Sequence, residues 1–246
     1  MYDNLQTIKD RDYAGKRVLL VGAAWMAGEY AKAFRAMGID QVTVLSRSAA
    51  TAEKLAGEYG FSALHGGYTA RLPDLEPFDL VVLSLPEHEC IPAVKSCVSH
   101  GQSNILVEKP CSNDLNHARE LFQLAQDKGL TLHIGHVERF NGAVQELLKI
   151  VDSPIFVECK RMGPFTERIK DDGVVLDIMI HDIDIILNLI KSKVITTHVL
   201  GASVFTEKDD LVSVQLEFEN GCIGNIVASR ASQNKVRTLS VTQKDS

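Results

Sequence analysis

The sequence predicts an α/β protein: a doubly wound parallel sheet followed by an α+β domain with a mostly antiparallel open sheet. Three observations predict it. Short apolar runs alternate with amphipathic segments from Arg17 to Gly135, the pattern of a parallel sheet with helices on both faces. Beyond about Phe140 the strand-like runs follow one another instead of alternating. The composition is that of a globular chain, with 45% hydrophobic and 24% charged residues. At 246 residues, and about 150 residues per domain, one to two domains are expected.

Taken in order, residues 1–15 are polar and read as a leader or short helix. Arg17–Val21 is a continuous apolar run, suited to a strand covered on both faces. Tyr30, Ala33, Phe34 and Met37 mark one face of the helix that follows, and Gly38 ends it. Val42–Leu45 reads as a strand and Ala49–Tyr59 as a helix closed by Gly60. Leu80–Leu83 is a strand, then Ile91, Val94 and Val98 mark a helix closed by Gly101. Ile105–Val107 is a strand, then Leu115, Ala118, Phe122 and Ala125 mark a helix closed by Gly129. Leu132–Gly135 completes a domain assigned to residues 1–136.

The second domain, 137–246, opens with a helix over Ala143–Val151 and a strand over Ile155–Arg161. Val174–Leu189 reads as one long apolar helix. Strands are expected around Val194–Phe205 and over Val212–Phe218, Cys222–Ala228 and Val236–Thr242. Glu219-Asn220-Gly221 is a hairpin signal.

Charge and cysteine content narrow the partners and the compartment. Lys+Arg 26 against Asp+Glu 32 leaves a net charge of −6, without the basic footprint of a nucleic-acid binder. No apolar run approaches the length of a membrane span. The N-terminal residues lack the apolar core of a signal peptide. Five cysteines, odd in number and without a C-x-x-C pair, suit a reducing cytoplasm. Each reads most simply as a small core residue.

The first strand–turn–helix carries the spacing of G-x-G-x-x-G as Gly22, Ala24 and Ala27. Gly22 makes the tight turn, and a dinucleotide pyrophosphate would sit on the helix N-terminus, the arrangement of a Rossmann domain. Ala24 degrades the match at the second position. The next strand ends in Leu45-Ser46-Arg47-Ser48, without the carboxylate that bonds a ribose 2′-hydroxyl. Arg47 and Ser46 are placed to meet a 2′-phosphate, which favours NADP over NAD; the plainer alternative is a solvated arginine.

Leu83-Ser84-Leu85-Pro86-Glu87-His88, Glu108-Lys109-Pro110, Gly135-His136-Val137-Glu138-Arg139-Phe140-Asn141 and Asp177-x-x-x-His181-Asp182-x-Asp184 follow in that order. Over nearly the whole chain this resembles the Gfo/Idh/MocA oxidoreductases, the glucose–fructose oxidoreductase and inositol dehydrogenase group. The resemblance implies hydride transfer between a sugar or polyol carbon and nicotinamide C4. It implies that Lys109, Asp177 and His181 are catalytic. It places Trp25, Met26, Ser84, Leu85, Pro86, His88 and Glu108 beside the nucleotide with Gly22, Ala24, Ala27, Ser46, Arg47 and Lys109.

The residues agree with that chemistry. Asp177, His181, Asp184 and Asn188 form a polar stripe beside an apolar one of Leu176, Ile180, Ile183, Leu187 and Ile190, on a helix read as mostly buried. His181 suits the hydroxyl proton, Asp177 suits the imidazole, and Lys109 suits the developing carbonyl oxygen. His181 ranks before Lys109 as the base. A helix-packing network is one rival reading of the stripe. A metal site is another, weakened by the lack of a second histidine at ligand spacing, and no metal is expected.

The segment Cys159–Phe165, Arg168 and Asp172–Val175 is similar to the subgroup acting on UDP-N-acetylglucosamine. Arg161 and Arg168 suit a diphosphate, and Arg139, Asn141 and Asp184 join them on the substrate side. A free sugar or cyclitol is the alternative substrate. The chain stops earlier than family members usually do, after what reads as a middle strand of the second sheet. That leaves an open edge, so either the chain is a fragment or a homo-oligomer covers the sheet. Two other functions compete: a dinucleotide-binding sensor without turnover, and a glycosidase of the same fold that uses the nicotinamide transiently.

Overall fold

The computed structural model describes residues 12–166 and 172–244. The chain divides into two compact units, Met1–Gly135 and His136–Ser246. Most of the expected leader lies outside the described residues.

The first unit runs β1 (Arg17–Val21), α1 (Trp25–Ala36), β2 (Gln41–Ser46), α2 (Ala49–Tyr59), β3 (Ser62–His65), α3 (Tyr68–Arg71), β4 (Leu80–Leu83), α4 (Glu87–Ser99), β5 (Asn104–Glu108), α5 (Leu115–Lys128) and β6 (Thr131–Gly135). Its sheet has the order β3-β2-β1-β4-β5-β6, with every pairing parallel. The order reverses between β1 and β4, so a crevice is expected at their carboxyl ends. Alternate residues of β1 feed two cores. Val18 and Leu20 pack with Ala27, Ala31 and Phe34 of α1, whereas Leu19 and Val21 pack with Cys90, Ala93, Val94 and Cys97 of α4. That two-sided burial is why the strand lacks a polar face.

Two helix faces differ from the periodicity reading. On α1 the buried residues are Ala27, Ala31 and Phe34, whereas Ala33 and Met37 are exposed. On α5 they are Leu121 and Ala125, whereas Leu115 and Phe122 are exposed. In both, the sheet is met by a stripe holding alanines, which let a helix approach closely, and the bulky residues next to it stay outside. The strand β3 was not foreseen. It is a four-residue edge paired to β2 alone, and only Leu64 is partly buried, so no alternation marks it.

The second unit begins with a 3₁₀ turn over Val137–Phe140 and continues as α6 (Gly142–Ile150) and β7 (Pro154–Met162). A π turn over Val175–Met179 leads into α7 (Ile180–Leu189). Then come β8 (Val194–Ala202), β9 (Leu211–Phe218), β10 (Ile223–Ser229) and β11 (Val236–Gln243). The sheet order is β11-β7-β10-β9-β8; β7 and β10 are parallel and the other pairings antiparallel. The expected hairpin joins β9 to β10, with Gly221 at φ +82° and its N–H on the Phe218 carbonyl. β11 stands at one edge of this sheet, the open edge the sequence leads one to expect.

The segment read as one long helix is interrupted by the π turn, and its buried face is not the expected stripe. Met179, Asp182, Asp184, Ile185, Ile186 and Leu189 are buried, whereas of the expected stripe only Ile190 is buried and Leu187 is exposed. The π turn offsets the residues before it from those after it relative to an unbroken 3.6-residue count.

A buried carboxylate organises the loop before β9. Asp210 accepts hydrogen bonds from the N–H groups of Val204 (2.8 Å), Phe205 (2.6 Å) and Thr206 (2.9 Å) and from Arg230 Nε (2.6 Å). Burial alone would push its carboxyl upward, but these donors outweigh that and hold it well below the usual aspartate range. Its neighbour Asp209 presents a carbonyl to the Val174 N–H, so the loop also seats the start of the π turn. Asp210→Ala removes one partner of a buried pair and is expected to cost about 3–5 kcal/mol in denaturant unfolding. A carboxyl whose folded pKa is depressed adds stability above its unfolded value, about 3.9, and loses it as pH falls further. The variant is therefore expected to show less loss of stability than the parent below about pH 4.

Candidate active site

The carboxyl ends of β1, β2, β4 and β5 carry the expected nucleotide residues. Gly22 follows β1 with φ +110°. Its N–H bonds the Leu45 carbonyl at 2.9 Å, and the Ser84 N–H bonds the Val21 carbonyl at 2.8 Å. A Cβ built on Gly22 would lie 2.0 Å from the Ser84 carbonyl oxygen. The chain therefore crosses from β1 to α1 directly over the end of β4, and only glycine fits there.

Ala24 sits at the N-cap of α1 in an extended conformation, offers no side-chain cap, and the first turn holds no acidic residue. The first N–H groups and the positive end of the helix thus face no negative side chain of that turn, which suits a pyrophosphate. Trp25 is 70% exposed and Met26 half-buried, while Ala27 is buried under the turn.

Arg47 is exposed at the end of β2, and Ser46 Oγ shares a hydrogen with Thr51 Oγ1 at 2.8 Å. The carbonyls of Ser46 and Arg47 receive the N–H groups of Gly67 (3.2 Å) and Gly66 (3.3 Å). Ser84 is buried, Leu85 half-buried, and Pro86 and His88 exposed at the opening of α4.

Glu108 closes β5 beneath Lys109. Its Oε2 accepts the Lys109 backbone N–H at 3.2 Å, and its Oε1 accepts the Tyr30 hydroxyl. A Cβ on Gly135 would lie 2.7 Å from Glu108 Oε1 and 3.1 Å from Tyr30 Oη, so glycine at the end of β6 leaves this pair its room. Burial and then Glu108 push the Tyr30 hydroxyl well above its ordinary value, which keeps it protonated as a donor. Glu108, placed beside the nucleotide by the sequence reading, thus holds the Lys109 backbone. Tyr30 was missed as a site residue because its position on α1 reads as core.

The second unit carries the carboxylate–histidine motif. Asp177 lies within the π turn, with its N–H on the Gly173 carbonyl, and His181 lies in the first turn of α7. Both are half-buried. Asp184 takes a two-bond clasp from Arg139, Nε to Oδ2 at 2.7 Å and Nη2 to Oδ1 at 2.5 Å. These two expected substrate residues are thus partners of each other. Gln145, buried on α6, donates to the Arg139 carbonyl.

Arg161 is corrected. Expected to meet a substrate diphosphate, it is buried, with Nε on both Asp182 oxygens (2.9 and 3.1 Å), Nη2 on Asp182 Oδ1 (2.7 Å) and Nη1 on Glu138 Oε1 (3.4 Å). Burial works against its charge, but Asp182 and Glu138 more than compensate. A guanidinium already held by two carboxylates inside the unit is not presented to a substrate. Asn141 caps α6, its Oδ1 accepting the Ala143 N–H at 3.0 Å and its Nδ2 donating to Glu138 Oε2 at 3.2 Å. Arg168 lies outside the described residues.

Comparison with known proteins now bears on this geometry. The family model for the NAD-binding Rossmann fold of the Gfo/Idh/MocA oxidoreductases matches residues 16–136, and the model for the Gfo/Idh/MocA C-terminal domain matches 134–243. The chain belongs to the Gfo/Idh/MocA oxidoreductase family. Among its relatives is UDP-N-acetylglucosamine 3-dehydrogenase of Acidithiobacillus ferrooxidans, 31% identical over 62% of this chain and 49% of that one. A solved structure of that enzyme covers 93% of this chain and 74% of its own, with a TM-score of 0.83 and 28% identity. D-xylose 1-dehydrogenase (NADP(+)) 2 of Haloferax volcanii is 26% identical over 54% of this chain and 40% of that one.

The scyllo-inositol dehydrogenase of Lactobacillus casei, solved with NAD(H) and scyllo-inositol, shares the fold at a TM-score of 0.80 and 15% identity, covering 94% of this chain and 74% of its own. The chain spans about half the length of the curated relatives it matches.

Tyr30→Phe is expected to leave a buried carboxylate oxygen without its hydroxyl donor and to cost about 1–3 kcal/mol. Denaturant unfolding of the variant checks this; an unchanged midpoint would show that the hydroxyl does not support the β5 end.

Proposed function

We propose that the chain is part of an NAD(P)-dependent dehydrogenase that oxidises a hydroxyl carbon of a sugar or nucleotide sugar. The observation that carries the reading is the Gly22 turn closed over Ser84, next to an uncapped α1. Those residues fit a dinucleotide: a glycine without room for a Cβ, helix N–H groups for the pyrophosphate, and exposed Arg47 for a 2′-phosphate. Arg47 supports NADP as the preferred nucleotide. A charge-assisted bond of about 1.5–3 kcal/mol is enough to set that preference.

When bound, the nicotinamide accepts the hydride. His181 takes the hydroxyl proton as the hydride leaves the same carbon. Asp177, one turn earlier, steadies the imidazole in its charged form. Lys109 donates to the oxygen as it becomes a carbonyl, and Glu108 fixes the backbone from which it does so. The relative acting on UDP-N-acetylglucosamine supports a nucleotide sugar as substrate. With Arg161 committed inside the unit, Arg168 remains the arginine for its diphosphate. Free cysteines among the described residues are in keeping with the cytoplasm. No helix among them is long and apolar enough to cross a membrane. Self-association through the sheet of the second unit completes the reading.

The test is a panel of UDP-sugars, free sugars and inositols incubated with each oxidised nucleotide and followed by the near-ultraviolet absorbance of the reduced nicotinamide. Reduction with UDP-N-acetylglucosamine is expected, faster with NADP. His181→Ala and Lys109→Ala are each expected to lower turnover by roughly 10²- to 10⁴-fold, and Arg47→Ala to erase the preference for NADP. Nucleotide binding without net reduction by any member of the panel would replace the dehydrogenase with a sensor or a glycosidase.

A further inference from the structure

The first unit carries a second arginine at the same carboxyl edge of the sheet as Arg47. The ends of β2 and β3 are neighbours, with Ser46 directly opposite His65 in the parallel register. Past those residues the two chains stay joined, because the N–H groups of Gly66 and Gly67 bond the carbonyls of Arg47 (3.3 Å) and Ser46 (3.2 Å). Gly66 and Gly67 take φ +103° and +79°, a path that favours glycine. The turn they make delivers the chain to α3, whose last residue is Arg71. Arg71 reaches back to the strand end, its Nε donating to the His65 carbonyl at 2.6 Å.

The two arginines thus lie against the two glycines. A Cβ on Gly66 would be 3.5 Å from Arg71 Nε, and one on Gly67 would be 3.4 Å from Arg47 Cγ. The stretch that carries Arg71 is anchored from its other side. Leu72 is fully buried in the core, and Tyr68 Oη donates to Glu89 Oε2 of α4 at 2.7 Å. Arg71 is accordingly half-buried, whereas Arg47 is exposed. Among the described residues, no carboxylate forms an ion pair with either guanidinium. Arg71 commits Nε to the His65 carbonyl, and its Nη edge keeps donors for another acceptor.

We infer that Arg71 is a second cation for the 2′-phosphate of NADP, meeting with its Nη edge the group that Arg47 meets from the end of β2. The inference rests on the reading of this edge as an NADP site. Two like charges brought to one pair of glycines without a counter-charge repel each other, and a phosphate dianion between them replaces that repulsion with attraction. The arginine fork suits phosphate oxygens. Arg71 is also the better prepared of the two: its Nε is already bonded, so less side-chain freedom is lost when the phosphate arrives than for exposed Arg47.

NAD has a hydroxyl where NADP has the phosphate, and this sets the test. The full chain and Arg71→Gln are titrated by calorimetry with NADPH and with NADH. The expected result is an NADPH affinity at least about tenfold weaker in the variant, with the NADH affinity unchanged. A residue that only held the His65 carbonyl in place would, when replaced, weaken both nucleotides alike. An equal loss for both, or no loss for NADPH, overturns the proposal while the preference of the unaltered chain for NADPH stands.

An unaltered chain that binds NADH as tightly as NADPH, or binds neither, ends the NADP reading and the inference with it. If Arg71→Gln does not fold, Arg71→Lys decides by the same comparison. Lysine keeps the charge but not the fork, so the preference for NADPH over NADH is expected to fall severalfold. A preference equal to that of the unaltered chain overturns the proposal.

Discussion

At the β1 to α1 turn, the absence of one carbon atom decides the path of the chain. Gly22 passes over the end of β4 with no room for a Cβ above the Ser84 carbonyl. Because β1 and β4 are the strands at which the sheet order reverses, this is the point where helices leave on opposite faces and a crevice opens. The buried alternation of Val18, Leu19, Leu20 and Val21 fixes the height of β1 between two cores, and that height sets the position of the turn. Bulk added at Gly22 would have to move backbone, not a flexible side chain, which is why the nucleotide half of the site depends on this contact.

Farther along the same carboxyl edge of the sheet, a hydrogen-bonded group closes the ends of β5 and β6. Tyr30, Glu108 and Gly135 come from α1, β5 and β6, and meet under the backbone of Lys109. A charged carboxylate buried there is tolerable because it has donors, and the glycine is what gives them room. In the second unit a comparable task falls to Arg161, which holds Asp182 and Glu138 together inside the fold. In both units an ionisable residue that looks like a ligand in sequence supports the residue beside it.

The alternation of strands and helices was legible because the central strands β1 and β4 are buried on both faces and α1, α2, α4 and α5 are followed by recognisable glycines; Gly38, Gly60, Gly101 and Gly129 all take positive φ. The short edge strand β3 was not legible, since one partly buried leucine carries no period. The helix faces of α1 and α5 were legible in part: Phe34 and Ala125 lie on the buried faces as expected, whereas the buried Ala27, Ala31 and Leu121 fell outside the expected stripes. The π turn is invisible to a count that assumes 3.6 residues per turn.

The residues read as meeting a nucleotide, Gly22, Ser46, Arg47, Ser84 and Glu108, lie at or next to strand ends because the topology puts them there. Arg161 was misassigned because sequence shows its charge but not its partners. Asp182, its partner, stood in plain view next to His181, four residues before Ile186 on what proved to be the buried face.

Calorimetric titration of the full chain and of Gly22→Ala with NADPH tests the account most directly, because the account makes that turn the seat of the nucleotide. The unaltered chain is predicted to bind, and the variant, with its second unit still folded, to bind at least about tenfold more weakly, a difference of 1.4 kcal/mol or more. Equal affinity in the two proteins, or no binding by the unaltered chain, would contradict it.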